Sequence, residues 1–215
     1  LFDSAEGQHP PIEMRWLVWE QQGNNEAAKE EQPESGQQSL VETQPSDQQQ
    51  LGQQLNDAMH WHQQGQLDRA RSLYQAILQS HPTHAQALHF LGLLEHQQGE
   101  LGAALTHLEA AIASNPEVAF FHVNIGNLYK DLGRLSEAEQ SYRQAITLEP
   151  DDALSHYNLG VLLDLDGRWH DATTSLEQAV ALNPGLTPAW RKLAALALQQ
   201  GDAEQALTAA ERAIA

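Results

Sequence analysis

The sequence predicts an all-α fold in residues 51–215, a solenoid of helical hairpins stacked in series. Three features predict it, because each recurs every 34 residues. A glycine recurs at that interval, at Gly65, Gly99, Gly133, Gly167 and Gly201. A proline lies 17 residues after each of the first four glycines, at Pro82, Pro116, Pro150 and Pro184. A small residue lies seven positions before each glycine, at Ala58, Gly92, Gly126, Gly160 and Ala194.

These recurring residues divide each repeat into two helices. Glycine adopts left-handed backbone geometry at little cost, so each recurring glycine is predicted to end a first helix in a tight turn. Proline cannot continue a helix, so each recurring proline is predicted to follow the end of a second helix. The small residue is predicted to lie where the paired helices cross. Helices of about 12–14 residues are marginal alone, so adjacent hairpins must stabilise one another.

Two segments before the array have a different composition. Apolar side chains alternate within residues 1–20, at Ile12, Met14, Trp16 and Val18. This period favours a short strand, which is either the remnant of a preceding domain or a peptide that adheres to another surface. Residues 21–50 are dominated by Gln, Glu, Ser and Pro. They are predicted to be a disordered linker, because too few apolar side chains are present to offset the entropy of ordering.

The charge of the chain excludes several classes of partner. Its 29 acidic and 11 Lys and Arg residues give a formal charge of −18. Such a surface repels phosphate groups, so nucleic acids and anionic membranes are not expected as partners. No apolar stretch reaches the length of a membrane span, so membrane insertion is not expected either. Cysteine is absent, which excludes disulfides and thiolate metal ligands.

The repeat pattern resembles that of a known family. Residues 119–150, AFFHVNIGNLYKDLGRLSEAEQSYRQAITLEP, resemble the tetratricopeptide repeat. The resemblance covers repeats at residues 51–84, 85–118, 119–152 and 153–186 and an incomplete repeat at 187–215. The motifs NIGNLYKDLG and NLGVLLDLDG are also similar to repeats of O-linked N-acetylglucosamine transferases, and many bacterial repeat proteins share them. The resemblance implies a right-handed α-solenoid whose first helices line a concave groove for a protein or peptide.

The register of the resemblance implies which side chains face that groove. The predicted set is Asn56, His89, Phe90, Phe120, Asn124, Asn127, Tyr157, Asn158, Arg191 and Lys192. Three of these asparagines, at 56, 124 and 158, share one repeat position, and an amide can pair with both polar groups of a peptide backbone. They form either a binding ladder or a set of tolerated polar residues on an open helix face. Phe90 and Lys192 interrupt such a ladder.

Other site chemistries are not favoured. Only Arg191 and Lys192 cluster as cations in the groove, so a clamp for a peptide carboxylate is not expected. The 11 histidines do not converge at metal-ligand spacing, since His60 and His62 point apart on a helix. The sequence contains no phosphate loop, zinc-protease motif or nucleophile elbow. No cofactor and no catalytic activity are therefore predicted.

The predicted function is a non-catalytic scaffold that binds a protein or peptide. The alternative is a regulatory or substrate-recruiting region of a longer enzyme, such as a glycosyltransferase. Because the chain starts at Leu1 and stops inside the last predicted helix, we expect either further repeats or a domain in the natural gene, or end-to-end self-association. The compartment is open, with the cytoplasm favoured.

Overall fold

The computed structural model describes residues 47–214. Within them the chain forms ten α-helices and no β-strand. The helices are α1 (Asp47–Gln63), α2 (Leu67–Ser80), α3 (Ala85–Gln97), α4 (Leu101–Ser114), α5 (Ala119–Asp131), α6 (Leu135–Leu148), α7 (Ala153–Leu165), α8 (Trp169–Leu182), α9 (Thr187–Gln200) and α10 (Ala203–Ile214). They pair into five hairpins, from α1–α2 to α9–α10. The predicted all-α solenoid is thus confirmed for these residues.

The N-terminal predictions fall mostly outside the described residues. The predicted strand in residues 1–20 and the predicted linker up to residue 46 lie there entirely. Residues 47–50 belong to α1, so the linker prediction was wrong for them and the first helix begins at Asp47. Three of these four residues are glutamine, a good helix former, which explains how an exposed polar stretch extends the helix. No helix in the described part of the chain is both long and apolar enough to cross a membrane.

The recurring glycines make the predicted turns. All five, from Gly65 to Gly201, have φ angles between 72° and 80°. Residues with a side chain rarely adopt this left-handed conformation, because Cβ clashes with the backbone. The 34-residue spacing of glycine therefore records the turn between the two helices of every hairpin.

The small residues allow the paired helices to approach closely, as predicted. A Cβ atom placed on Gly126 of α5 would lie 2.7 Å from Cε1 of Tyr142 on α6. A Cβ on Gly160 of α7 would lie at the same distance from Cγ of Leu176 on α8. Both partner side chains are fully buried. A large residue of the second helix therefore fills the space over the small residue of the first.

Successive hairpins share one core in the C-terminal half of the array. A cluster of buried apolar side chains extends from Ala119 on α5 to Ala209 on α10. Each second helix also packs against the first helix of the following hairpin, as α4 does against α5. Because α5 has a hairpin on each side, every residue from Phe121 to Leu128 is buried.

A repeated hydrogen bond fixes the loops between hairpins. The fourth residue of repeats three, four and five is His122, His156 and Trp190. A ring nitrogen of each lies 2.7, 2.9 and 2.8 Å, respectively, from the carbonyl oxygen of the proline six residues earlier. Imidazole and indole thus perform the same task, which is to donate a hydrogen bond to a loop carbonyl that no helix satisfies.

Candidate protein-binding groove

The ten side chains predicted to line the groove lie on the first helices α1, α3, α5, α7 and α9. The structure divides them by burial into two groups. Four of the five on α3 and α5 are buried: His89, Phe90, Asn124 and Asn127 have exposed fractions of 1, 3, 4 and 8%. The others, Asn56, Phe120, Tyr157, Asn158, Arg191 and Lys192, are exposed or partly exposed.

The buried polar side chains have partners inside the array. The amide Nδ2 of Asn124 donates to Nε2 of His89 across 2.8 Å, which links α5 to α3. The amide oxygen of Asn127 accepts a hydrogen bond from the Tyr142 hydroxyl at 2.7 Å, within the third hairpin. These amides hold helices together, and their present contacts leave little of either side chain for a ligand.

The aromatic members of the predicted set also pack inward. The Phe90 ring stacks on Tyr74 of the preceding second helix, with centroids 6.2 Å apart. His89 lies between Phe120 and Phe121, with centroid distances of 5.0 and 4.5 Å. Of these rings only Phe120 keeps part of its surface exposed. Aromatic packing between the second and third hairpins thus uses positions where other repeats carry polar residues.

An accessible group of predicted residues remains on α7 and α9. Tyr157 and Asn158 are half-buried on α7, and Arg191 is exposed on α9. Burial raises the pKa of the Tyr157 hydroxyl, and the nearby positive charges of Lys192 and Arg191 partly oppose that rise. The two cations are therefore close enough to this phenol to act on the same ligand. We call Tyr157, Asn158, Arg191 and Lys192 the α7–α9 patch.

The two cations of the patch differ in availability. Lys192 Nζ lies 3.2 Å from a carboxylate oxygen of Asp164, so part of its charge is already balanced. No ion pair of Arg191 occurs among the described residues. A single available guanidinium is a weaker binder of a free carboxylate than a pair of cations would be.

The three asparagines that share a repeat position do not share an environment. Asn56 is exposed, Asn124 is buried and Asn158 is half-buried. Asn124 bonds to His89, because the second repeat places an imidazole on the adjacent first helix. The ladder stays a prediction, and it has its most accessible amides at the two separated positions 56 and 158.

Sequence reasoning missed a set of polar bonds between successive first helices. His62 Nε2 lies 3.2 Å from the Gln97 amide oxygen, and His96 Nε2 lies 2.8 Å from the Asp131 carboxylate. Both pairs join one repeat position to the next position of the following repeat. The signal was present, since each histidine precedes its partner by 35 residues, one more than the repeat. Among the described residues, no three His, Asp or Glu side chains form a group that could hold a metal.

Comparisons with known proteins agree with this architecture. A family model described as TPR repeat matches residues 126–164, and one described as Tetratricopeptide repeat matches residues 63–119 and 166–215. A search of curated proteins found none that matches the sequence.

Solved structures with the same fold share little sequence identity with the chain. The structure of PilF from Pseudomonas aeruginosa is 20% identical, with a TM-score of 0.73 over 76% of this chain and 75% of that one. A crystal structure of MamA is 20% identical, with a TM-score of 0.67 over 73% and 92%. YrrB, described as a TPR protein with an unusual peptide-binding site, is 20% identical, with a TM-score of 0.62 over 75% and 83%. Identity this low shows a shared fold only.

Proposed function

Because this chain belongs to the tetratricopeptide repeat family, we propose that it is a non-catalytic scaffold that binds a protein or peptide along its first helices. The α7–α9 patch is the proposed centre of binding. The observation that carries the proposal is the difference in burial between the two parts of the groove. Predicted binding residues on α3 and α5 are mostly buried, whereas those on α7 and α9 present an aromatic ring, an amide and a cation to solvent.

These three groups suit an extended peptide. The Tyr157 ring packs against the array core on one side and offers its accessible part to an apolar side chain. The Asn158 amide can donate to a peptide carbonyl and accept from a peptide N–H. Arg191 adds positive charge to a chain with an overall charge of −18, which favours peptides with an acidic residue near this point.

Selection of binding peptides tests the proposal. A random peptide library is displayed against the full chain, and the affinity of a selected peptide is measured for the variants Tyr157→Ala, Asn158→Ala and Arg191→Ala. Arg212→Ala is the matched control, because Arg212 is an exposed arginine on α10. We expect each patch variant to weaken binding and the control to leave it unchanged. Equal weakening by Arg212→Ala, or no effect of the patch variants, would contradict the proposed location.

A further inference from the structure

A cleft of about 550 Å³ lies between α8, α9 and α10, on the side of the last two hairpins formed by their second helices. Its volume is in the range of about 300–1,000 Å³ that is typical of ligand sites. Val180, Trp190 and Leu193 supply apolar lining, and Glu177, Asp202 and Glu204 supply carboxylates. No basic side chain lines the cleft, and no ion pair of Glu177 or Glu204 occurs among the described residues.

The cleft exists because one side chain is small. The eleventh residue of the five repeats is, in order, Trp61, Glu95, Tyr129, Leu163 and Ala197. Four are large and the fifth, Ala197, lines the cleft. In the second repeat this residue reaches between successive second helices, where Glu95 Oε2 lies 2.6 Å from His107 and Oε1 lies 3.7 Å from Arg71.

The third repeat shows how an aromatic side chain fills this space. The Tyr129 hydroxyl donates to Glu109 Oε1 of the preceding second helix at 3.0 Å. The guanidinium of Arg134 lies 4.5 Å from the centre of the Tyr129 ring. One face of the ring is therefore covered by a cation, and its hydroxyl ends on a carboxylate.

The same positions surround the cleft in the fifth repeat. Glu177 is the counterpart of Glu109, and Asp202 is the counterpart of Arg134. Thr173 and Ala209 are the counterparts of Arg71 and His107. All four counterparts line the cleft, so it corresponds to the space that the eleventh side chain occupies in the earlier repeats.

We propose that the cleft binds a tyrosine side chain of a partner protein, with Lys or Arg beside that tyrosine in the partner sequence. The partner ring takes the place that Ala197 leaves open and packs on Val180, Trp190 and Leu193. Its hydroxyl donates to Glu177, as the Tyr129 hydroxyl donates to Glu109. This site lies on α8, α9 and α10 and is separate from the α7–α9 patch.

Charge specifies the residues beside the tyrosine. In the third repeat the chain itself supplies the cation over the ring, through Arg134. In the fifth repeat an acidic residue, Asp202, stands at that position, with Glu204 also at the cleft. The cation must therefore come from the partner, and two carboxylates are placed to attract it.

The capped tripeptide acetyl-Lys-Tyr-Lys-amide is the probe. It is titrated into the full chain labelled with ¹⁵N, and the Trp190 indole resonance is followed after assignment with Trp190→Phe. The Trp190 Nε1–H donates to the Pro184 carbonyl, so this reporter has a fixed position at the cleft. We expect saturable shifts of Trp190 and of the Thr208 amide, with weaker binding of the Lys-Phe-Lys and Glu-Tyr-Glu peptides.

Variants of α9 decide whether the cleft is the site. Ala197→Tyr and Ala197→Leu place in the cleft a side chain that the third or fourth repeat already carries, and either is expected to abolish the shifts and raise Tm. Ala195→Tyr, at an exposed position of the same helix, and Arg191→Ala in the α7–α9 patch are expected to keep them. Shifts that persist in both Ala197 variants would overturn the proposal. So would the absence of saturable shifts in the unmodified chain, or equal affinity for all three peptides.

Discussion

Asn124 and His89 form a buried hydrogen bond between two neighbouring first helices, with Nδ2 and Nε2 2.8 Å apart. The side chain of Asn124 is 4% exposed, and that of His89 is 1% exposed. A bond in this position stabilises the stacking of the second hairpin on the third. The family resemblance implied a ligand-binding role for both residues, whereas their geometry gives them a structural one.

We therefore expect Asn124→Ala to destabilise the chain and Asn158→Ala to leave its stability nearly unchanged. Removal of the Asn124 amide leaves a buried imidazole nitrogen without this donor, which costs about 1–3 kcal/mol. Asn158 is half-buried on α7 and serves as the matched control. Chemical denaturation of the two variants measures the difference. Equal stability of both variants would contradict the structural role of Asn124.

A second prediction compares two glycines in helices. Gly126→Ala is expected to destabilise the fold, because the new Cβ would lie 2.7 Å from a ring atom of buried Tyr142. Gly102→Ala on α4 is expected to stabilise it, because nothing lies within 4 Å of the new Cβ and alanine is the better helix former by about 1 kcal/mol. Thermal unfolding of both variants gives the sign of each change. A stabilising effect of Gly126→Ala would mean that the helices can separate without cost.

The difference between these two glycines shows what the sequence reveals about the fold. Gly126 recurs every 34 residues as a small residue, whereas Gly102 lies outside that pattern, so periodicity alone separates them. The helical hairpins, their turns and their crossings are repeated in this way and were predictable. Spacing alone predicts which helix carries a residue, but the neighbouring repeat determines its burial. Asn124 is buried because the preceding repeat places His89 beside it, and Asn158 has no such partner among the described contacts.

The histidines at the fourth repeat position provide a third prediction. His156 Nε2 donates to the Pro150 carbonyl at 2.9 Å, and Trp190 makes the equivalent bond in the next repeat. We expect His156→Phe to lose about 0.5–1.5 kcal/mol of stability, because the ring is kept and the donor is removed. His156→Trp is expected to retain more stability, since indole N–H can replace the donor. If urea denaturation gives equal losses for both variants, the hydrogen bond is not the cause.

A fourth prediction concerns pH. Burial lowers the pKa of His62 below the ordinary value of 6.5, and its hydrogen bond to Gln97 only partly opposes this shift. Burial likewise lowers the pKa of His84, with His81 adding to the effect. The unfolded chain therefore binds more protons than the folded chain once pH falls below about 6.5, so both groups make stability decrease toward acid pH.

The variant His62→Gln tests the contribution of one of these groups. We expect it to reduce the loss of stability between neutral pH and about pH 5, the range in which an unfolded histidine gains its proton. His170→Gln, at an exposed position of α8, is the control and is expected to leave the pH dependence unchanged. Urea denaturation midpoints across this range provide the measurement. An unchanged slope in His62→Gln would show that other groups cause the acid sensitivity.

The fifth prediction concerns the ion pair beside the proposed peptide site. Lys192 Nζ lies 3.2 Å from Asp164, so the α7–α9 patch presents one available cation, Arg191, and one that is partly neutralised. Asp164→Asn removes the competing carboxylate and keeps the shape of the side chain. It should increase the preference for a peptide with a free C-terminal carboxylate over its amidated form by about 0.5–1 kcal/mol, the scale of an exposed ion pair. Calorimetric titration of both forms of one selected peptide measures this preference, with Asp166→Asn as an exposed control. An unchanged preference in Asp164→Asn, or an equal change in Asp166→Asn, would show that Asp164 does not limit the availability of Lys192.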